Sequence, residues 1–548
     1  VFHSLMSGRF GAPANAALSA WIDEVGADNP LRGVDWLAYD RSSLPAETRA
    51  GWERAIAAFF RSRTKADIAG EGRRRGINAA VVQEPADVLV DPQLAARAFW
   101  AEELQRERRV RVPGSFLRVQ PGPKHERTSR PVLAAGSGAL GGVKILDLSW
   151  ALVGSLATKA LGDHGATVIK VESAQRPCLT RTDAQVARSS PSSFDDKPWF
   201  AHLNTSKLGI QLDLKHPRAR EVLEPLIDWA DVVVENFSPG TLDKLGLGYE
   251  ALRERRPDLI MVSASAYGQT GPLAQSWGVD GTSGALSGRT WLTGWPDRGP
   301  VLPGAIPYAD VVVPQFMVAA LGAALCNRRE TGQGCYIDVS MYEISVQQMA
   351  QATAGAQLGA APARAGNRDA EVWHQGVYPT RGDDRWIAIS LFDAADYRRL
   401  CEVLGGEWPD VEPLDADALD ELLAERTRVH EDEPLMEALQ AAGIAAGVVQ
   451  DVRDLLERDP QLRARPAWTL VDHPVLGAFE HQTTPYHLAR TPSACAAKYW
   501  ACAPRTTRVC WPQACSVERD PALGPRGSVT DVPRARIVTL GNMPCEFG

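Results

Sequence analysis

The segment Gly304-Ala-Ile-Pro-Tyr-Ala-Asp310-Val-Val-Val-Pro314 places a single carboxylate a few residues before an apolar run. That run, Phe316-Met-Val-Ala-Ala-Leu-Gly-Ala-Ala-Leu325, consists mostly of good helix formers and contains no proline, so a buried helix is predicted over residues 315–325. Arg328-Arg-Glu-Thr-Gly332 supplies the basic last turn and the glycine at which such a helix ends. We therefore expect Asp310 at a loop-to-helix junction, facing the positive end of the helix dipole. Taken alone, an aspartate at such a position is most simply an N-terminal capping residue.

Strands alternate with helices over the residues that precede this segment. A strand at residues 143–149, a helix at 154–161 and a strand at 166–172 predict a βαβ unit of a parallel sheet. Three further strands are predicted at residues 209–214, 231–235 and 259–265. This alternation is typical of a doubly wound α/β domain. No Gly-x-Gly-x-x-Gly follows the first strand, which disfavours a dinucleotide site.

Composition and charge narrow the class of function. The chain has 548 residues, which suggests three or four domains, and its 45% hydrophobic and 23% charged residues are typical of a soluble globular protein. The net charge of −8 disfavours a nucleic-acid partner. No apolar run of membrane-spanning length and no signal-peptide pattern are found, so no membrane partner is predicted. The nine cysteines form no Cys-x-x-Cys pair and four of them are scattered, so we expect a cytoplasmic enzyme without a bound metal.

An internal repeat links the first 125 residues to the end of the chain. Gly76-Ile-Asn-Ala-Ala-Val-Val-Gln83 recurs as Gly443-Ile-Ala-Ala-Gly-Val-Val-Gln450, and Asp91-Pro-Gln-Leu94 recurs as Asp459-Pro-Gln-Leu462. The spacing is too long for a solenoid repeat, so a tandem duplication is predicted. The predicted organisation is residues 1–125 as the C-terminal part of a first, incomplete copy, 126–140 as a linker, 141–360 as a large domain, 361–440 as a small α+β domain, 441–490 as a C-terminal return segment, and 491–548 as an atypical tail rich in Cys, Pro and Arg.

The region around Asp310 resembles the family III CoA-transferases of the CaiB/BaiF type, the group of formyl-CoA transferase and carnitine CoA-transferase. Their signature is an Asp before a helix rich in Ala and Leu, then an Arg, a Thr-Gly-x-Gly turn and a strand, matched here by Asp310, Arg328, Thr331-Gly-Gln-Gly334 and Tyr336-Ile-Asp-Val. The resemblance extends from about residue 141 to about residue 488. It implies a Rossmann-like doubly wound large domain plus a small α+β domain, of the interlocked-ring type, with Asp310 as the nucleophile.

The resemblance also implies a set of CoA-contacting residues. CoA has three phosphate groups and an adenine, so its site needs basic side chains, backbone N–H groups and apolar walls. The positions that match the family's motifs are Leu152, Arg176, Leu212, Lys215, Asn236, Phe237, Lys244 and Tyr267.

Some of these positions have a simpler explanation or depart from the family's pattern. Lys215 and Lys244 could equally lie on a solvated surface, and Asn236 could only make a turn. Leu152 stands where the family often has a polar residue that steadies the reacting carboxylate. The family's arginine after the second strand is absent, and Arg176 or Arg181 is its candidate substitute.

The implied activity is the transfer of CoA from an acyl-CoA thioester to a free carboxylic acid, with CoA as a substrate and no permanently bound cofactor. Asp310 would form an aspartyl anhydride and then an aspartyl-CoA thioester. Two alternatives stay open. The α-methylacyl-CoA racemase branch has Gly-His-Asp where this chain has Gly278-Val279-Asp280, so its second base is missing here. A degenerate duplicate that acts as a structural partner is the other alternative.

Members of this family are interlocked dimers, so a homodimer or an intrachain pseudo-dimer is expected. In the second case the first 125 residues would take the place of the second subunit. We expect their apolar positions, among them Trp21, Trp36 and residues 55–60 and 77–82, to dock on residues 141–490 and to leave an exposed apolar patch.

Overall fold

The computed structural model describes residues 1–105, 107–124, 138–182, 194–302, 307–409 and 415–495. The predicted linker therefore lies outside the described residues except at its last positions. The same holds for the predicted tail from residue 496 onward.

The N-terminal segment, residues 1–124, folds around its own core. Its elements are β1 (Phe2–His3), α1 (Gly8–Glu24), α2 (Ala46–Arg61), α3 (Lys65–Arg75), β2 (Ala79–Ala80), α4 (Pro85–Leu89), α5 (Pro92–Ala96), β3 (Trp100–Gln105), β4 (Arg108–Pro113) and β5 (Leu117–Pro121). Trp21, Trp36, Phe59 and Ile77 pack on one another, because α1, α2 and α3 turn their apolar faces together. The expectation that these residues dock on the rest of the chain is therefore wrong. Only the end of the predicted apolar stretch, at Val82 and its neighbour Ala80, packs against the large domain.

The large domain is a doubly wound sheet flanked by helices. Its elements are β6 (Lys144–Asp147), α6 (Val153–Asp163), β7 (Thr167–Glu172), α7 (Leu179–Thr182), α8 (Pro198–Leu203), β8 (Lys207–Gln211), α9 (Ala219–Trp229), β9 (Val232–Glu235), α10 (Thr241–Lys244), α11 (Tyr249–Arg255), β10 (Ile260–Ser265), α12 (Asp280–Leu286), α13 (Arg289–Leu292), α14 (Tyr308–Thr331), β11 (Cys335–Ser340), α15 (Met341–Gln347) and α16 (Ala350–Gln357). Six parallel strands lie in the order β8-β7-β6-β9-β10-β11.

The N-terminal segment completes this sheet. Strand β5 pairs antiparallel with β11, with Val119 opposite Ile337, and makes the seventh strand at that edge. The two parts of the chain therefore share one continuous hydrogen-bonded sheet.

Both faces of the sheet are covered, which explains why its strands are continuous apolar runs. Ile145, Val232 and Val262 point into a first core that includes α6 and α14. Their neighbours, such as Leu146 and Val233, point into a second core that includes α9 and α11. The strands predicted at residues 143–149, 166–172, 231–235 and 259–265 are confirmed within a few residues at each end.

Helix α14 begins earlier than predicted, at Tyr308, and ends at the expected glycine, Gly332, whose φ is 73°. The prediction started the helix after Pro314, which lies inside the helix instead. Proline has no N–H, so it cannot donate the usual bond to the carbonyl of Asp310 four residues earlier. Asp310 consequently lies in the first helical turn rather than in a preceding loop.

Helix α14 also corrects the expectation that the chain has no apolar run of membrane-spanning length. Among the described residues, α14 is the one helix whose length and apolar composition would allow it to cross a membrane. Its buried positions Ala309, Val313, Met317 and Leu321 pack in the first core of the sheet. After β11 the chain forms two short helices, α15 and α16.

The small domain has a three-stranded antiparallel sheet, and the chain then continues into a second hairpin. The elements are β12 (His374–Pro379), β13 (Trp386–Leu391), α17 (Ala394–Leu404), α18 (Ala416–Thr427), α19 (Asp432–Ala441), β14 (Ala445–Val449), α20 (Val452–Glu457), α21 (Pro460–Ala464), β15 (Trp468–His473) and β16 (Gly477–Gln482). Strand β12 pairs antiparallel with β13. Strand β14 joins the other side of β13, although its residues were predicted to belong to the return segment.

Candidate active site

A cavity of about 330 Å³ opens at the C-terminal ends of β6 and β9. Strand order reverses between these two strands, and open α/β sheets bind ligands at such a point. The loop after β6 contributes Trp150 and Leu152, and the residue after β9 is Asn236. Asp310 reaches the same cavity from the first turn of α14. The structure thus brings together three residues that the sequence analysis singled out: Asp310, Leu152 and Asn236.

Asn236 holds the loop that lines the cavity. Its Oδ1 accepts a hydrogen bond from the Trp150 N–H at 2.9 Å, and its Nδ2 donates to the Trp150 carbonyl at 2.8 Å. The next residue, Ala151, has a φ of 56°, a left-handed conformation that costs free energy for a residue with a Cβ. Its N–H donates to Cys178 Sγ at 3.1 Å. Because the oxygen and the nitrogen of its side-chain amide are both hydrogen-bonded to the Trp150 backbone, Asn236 holds the loop after β6 in position.

The same loop rests on a buried ionic cluster. Asp147, Lys170 and Lys207 have no solvent exposure. Lys207 Nζ donates to Asp147 Oδ2 at 3.1 Å, and Lys170 Nζ donates to the Ser149 carbonyl at 2.7 Å. Burial alone would raise the pKa of Asp147, but the charges of Lys170 and Lys207, with hydrogen bonds from Ser149 and Thr158, lower it to about 2. Burial in turn lowers the pKa of Lys207 to about 7.

Burial and a neighbouring carboxylate make Asp310 hard to ionise. Burial, together with the charge of Asp280, raises the pKa of Asp310 to about 7, while Arg289 acts in the opposite direction. Asp280 itself is held in place, because its Oδ1 accepts hydrogen bonds from Arg289 Nη2 at 2.7 Å and from the Ala309 N–H at 2.6 Å. Asp280 therefore fixes the start of α14 and, after burial, adds to the raised pKa of Asp310.

The N-terminal segment forms part of the cavity wall. A second cavity, of about 420 Å³, adjoins the first and is lined by Arg9, Arg41 and Arg176. The guanidinium of Arg176 lies 4.8 Å above the Trp150 ring. The centre of the Phe10 ring lies 5.6 Å from the centre of the same Trp150 ring. The residues common to both walls are Met6, Phe10, Arg41, Trp150 and Leu179. The sequence analysis found Arg176 but missed Arg9, Phe10 and Arg41, since no local pattern connects residues 1–125 with Asp310.

The remaining predicted CoA contacts lie away from both cavities. Tyr267 is buried between the N-terminal segment and the large domain, and burial raises its pKa to about 12. Leu212 and Phe237 pack against the second core of the sheet. Lys215 and Lys244 are exposed on the surface. The structure does not bring these five residues to the carboxylate.

Comparisons with known proteins assign a class to this fold and site. Residues 11–136 and residues 140–505 match the model of CoA-transferase family III. The acetyl-CoA:oxalate CoA-transferase of Acetobacter aceti is 32% identical over 346 residues, which cover 61% of this chain and 86% of that protein. The succinyl-CoA–D-citramalate CoA-transferase of Chloroflexus aurantiacus is 32% identical over 362 residues, or 64% and 88% of the two chains. The chain is therefore an acyl-CoA:carboxylate CoA-transferase.

Solved structures agree with this class. A CaiB/BaiF family protein from Brucella suis is 30% identical, with a TM-score of 0.59, and the match covers 66% of this chain and 95% of that one. A protein from Mycobacterium tuberculosis is 25% identical, with a TM-score of 0.53, over 66% and 98% of the two chains. With most of its length matched by the family model, the chain belongs to CoA-transferase family III.

Proposed function

We propose that the chain moves CoA from an acyl-CoA thioester to a free carboxylic acid through covalent intermediates on Asp310. The observation that supports this most directly is the position of the Asp310 carboxylate, which lines a cavity at the reversal of strand order. A carboxylate whose pKa is raised by burial is also a stronger nucleophile once ionised than a solvated one.

The proposed reaction needs no external energy, because a thioester is both consumed and formed. Ionised Asp310 attacks the carbonyl carbon of the donor thioester, the C–S bond breaks, and a mixed anhydride and CoA thiolate result. The thiolate attacks the Asp310 carbonyl carbon, which releases the donor acid and leaves an aspartyl-CoA thioester. The acceptor carboxylate attacks the carbonyl carbon of that thioester, the C–S bond breaks, and a second mixed anhydride and CoA thiolate result. The thiolate then attacks the acceptor carbonyl carbon of the anhydride, which forms the acceptor acyl-CoA and releases the Asp310 carboxylate. The N–H of Ala309 is taken by Asp280, but the other backbone N–H groups of the first turn of α14, which have no partner within the helix, are suited to hold the developing oxyanion.

The second cavity offers the charge that the phosphates of CoA require. We assign the phosphate end to the side lined by Arg9 and Arg176, since guanidinium groups bind phosphate through paired hydrogen bonds. The thioester arm would then pass the wall of Phe10 and Trp150 to reach Asp310. Arg41 belongs to both walls and could meet the carboxylate of an incoming acid.

The architecture supports the finer fold assignment as well. The order β8-β7-β6-β9-β10-β11 corresponds to the order 3-2-1-4-5-6 of a Rossmann-like domain. From α1 to the β3–β4 hairpin, the helices and strands follow one another as they do from α17 to the β15–β16 hairpin. We propose that this reflects a tandem duplication, in which the N-terminal segment completes the site as the second subunit of a dimer would.

A substrate screen tests the proposed activity. The full chain is incubated with pairs of one acyl-CoA and one free carboxylic acid, and the CoA esters are identified by mass spectrometry. We expect at least one pair in which the acid gains CoA without ATP and the donor acid appears in equal amount. Hydrolysis of acyl-CoA alone, with no acid accepting CoA across the whole panel, would contradict the proposal.

The charge state of Asp310 should appear in the pH profile. Since only the ionised carboxylate attacks, we expect kcat/KM for the acyl-CoA to rise with pH and to level off above a pKa near 7. Asp280 raises that pKa, so Asp280→Asn should move the rising limb to lower pH. The pH profiles of both proteins, measured with the same substrate pair, check this. An unmoved limb in Asp280→Asn would show that another group controls the profile.

Proton exchange distinguishes the transferase from the racemase alternative. In deuterated water, a racemase acting on a 2-methylacyl-CoA exchanges the α-proton, whereas a transferase has no need to. Val279 lines the cavity at the position where the racemase branch has its histidine, so we expect no protein-dependent deuterium at the α-carbon. Mass spectrometry of the recovered thioester measures this, with a sample lacking protein as control. Rapid incorporation would reverse the assignment.

A further inference from the structure

The wall of the first cavity divides into a part shared with the second cavity and a part of its own. The shared part faces the side to which we assign the phosphates of CoA. The other part includes Asp310, so it borders the acyl group that this carboxylate would attack. We call it the acyl wall. Its large apolar side chains are those of Phe2, Leu152, Trp199, Leu302, Pro307 and Met341.

The acyl wall has no cation. Among the described residues no basic side chain belongs to it, and its charged groups are two carboxylates, those of Asp280 and Asp310. The four residues between Leu302 and Pro307 in the sequence are uncharged. Arg289 pairs with Asp280 at 2.7 Å but is not part of the wall. A substrate carboxylate held against this wall would therefore lose water and meet negative charge, and a desolvated charge without a partner is costly.

The acyl wall also offers few uncharged hydrogen-bonding side chains. Beyond the indole N–H of Trp199, these are the amide of Asn236 and the hydroxyl of Ser265. The amide oxygen and nitrogen of Asn236 are both bonded to the backbone of Trp150. Ser265, the last residue of β10, thus supplies one hydroxyl. A substrate with several polar groups would give up more hydrogen bonds to water than this wall returns.

Aromatic rings give the acyl wall its shape. Phe2 is fixed by the pairing of β1 with β2, in which it lies opposite Ala80. Its ring lies so close to Gly281 that a Cβ at this glycine would stand 2.1 Å from Phe2 Cζ. Trp199, in α8, is half-buried, so part of its ring surface can still be covered by a ligand. Burying such a ring against an apolar group is favourable and is not weakened by the absence of charge in the wall.

We propose that the acids exchanged by this chain have one carboxylate and an apolar body, such as an aryl or branched alkyl group, and that Trp199 selects for that body. The inference rests on the proposed function, because the acyl wall borders the substrate only if Asp310 is the reacting group. The single carboxylate of such an acid is the group that reacts. It would lie toward the shared wall, where Arg41 is the basic residue, and the apolar body would lie against the acyl wall.

Two acids of equal chain length test the effect of charge. Glutarate differs from pentanoate in having a second carboxylate in place of the terminal methyl group. Binding of each free acid to the full chain with CoA present is measured by ligand-detected NMR titration, and transfer is measured with the donor from the substrate screen. We expect pentanoate to bind at least roughly tenfold more tightly than glutarate and to have a correspondingly higher kcat/KM, since small changes in an apolar pocket alter specificity by about 10–200-fold. 3-Phenylpropanoate should bind more tightly than pentanoate.

A cation placed in the acyl wall should reverse this preference. Trp199→Arg removes the aromatic surface and adds a partner for a second carboxylate, so 3-phenylpropanoate should bind at least roughly tenfold more weakly and glutarate should bind more tightly than pentanoate. Trp199→Phe keeps an apolar ring and should keep the wild-type order. Leu208→Arg, at an exposed position of β8, is the matched control and should also keep it. Circular dichroism establishes that each variant is folded, and if Trp199→Arg is not, Trp199→Ala should weaken the binding of 3-phenylpropanoate more than that of pentanoate.

The binding measurement separates this inference from the proposed function. If pentanoate and 3-phenylpropanoate bind in preference to glutarate but no acid accepts CoA, the proposed function fails and the inferred ligand class stands. If glutarate binds as tightly as pentanoate, or neither apolar acid binds, the inference is overturned even when CoA is transferred. An unchanged order of the three acids in a folded Trp199→Arg variant, or equal losses for both apolar acids in Trp199→Ala, overturns the role of Trp199.

Discussion

Asp310→Ala is expected to abolish CoA transfer while CoA binding changes by no more than a few-fold. The substitution removes the only group that the proposed reaction acylates, so the rate should fall by at least roughly 10³-fold, as losses of covalent nucleophiles do. The arginines that we assign to the phosphates lie on the wall of the second cavity and are untouched by the change. Turnover is measured with a substrate pair from the screen and binding by calorimetry with CoA.

Trapping identifies the reacting residue independently of turnover. Hydroxylamine attacks an aspartyl anhydride or thioester, so incubation with acyl-CoA should convert Asp310 to a hydroxamate on one peptide. Asp297→Ala, at an exposed aspartate of the same domain, is the matched control and should behave as wild type. Wild-type turnover in Asp310→Ala, or a hydroxamate at another residue, would refute the role of Asp310.

Loss of folding should not explain that result. The pKa of Asp310 is raised to about 7, so the folded state holds a proton that the unfolded state releases near pH 4. Stability contributed by this group therefore falls as pH rises from about 4 to about 7. Above pH 7 the native carboxylate is charged at a cost of about 2 kcal/mol, after allowance for its partial exposure. Asp310→Ala is thus expected to melt no lower than wild type at pH 8.

Asp147→Asn should be the most destabilising of the substitutions considered. It keeps the shape of the side chain but leaves Lys170 and Lys207 buried without their shared carboxylate. Breaking a buried ionic cluster from one side typically costs about 3–5 kcal/mol. The pKa of Lys207 is lowered to about 7, so its side chain is mostly charged at pH 6 and mostly neutral at pH 9. The loss of folding stability in Asp147→Asn should therefore be larger at pH 6 than at pH 9.

Denaturant titrations of the folded chain measure this loss. Urea midpoints of wild type and Asp147→Asn are compared at the two pH values, and free energies follow from linear extrapolation. Asp213→Asn, at an exposed aspartate of the large domain, serves as control and should change stability by no more than about 0.5 kcal/mol. A loss in Asp147→Asn that is equally small would mean that the cluster is not held together by its charges.

The parallel sheet could be predicted from the sequence because each strand is buried on both faces. Strand Val232–Glu235, for example, begins with three valines without alternation and is bounded by polar residues, so its position could be predicted from its own sequence. The nucleophile candidate was found for a different reason, namely the resemblance of Asp310, the apolar helix and the glycine turn to the signature of the family, since the aspartate alone indicated only a helix cap. The start of α14 was missed because Pro314 reads as a boundary, whereas tertiary packing of the apolar face keeps the helix intact through it.

The parts of the site that could not be predicted depend on contacts between distant residues. Phe10 and Arg41 reach the cavity from more than 260 residues before Asp310, and nothing in their neighbourhood indicates a ligand. Asn236 was found, but its bond to the Trp150 backbone requires two strands to be placed side by side. Lys215 and Lys244 match the family by position, and a contact with CoA at these residues stays a prediction.

The pairing of β5 with β11 determines when the sheet can be completed during synthesis of the chain. A ribosome adds about 5–20 residues per second, so β5 leaves it roughly 10–40 s before the strand that it must pair with. During that interval the N-terminal helices can already bury their own aromatic residues, while the edge strand waits with unpaired N–H and C=O groups. The contact between strands so far apart in the chain also raises the entropic cost of closing the sheet and slows its formation. The nascent chain should therefore depend on chaperone protection until its last parallel strand has been made.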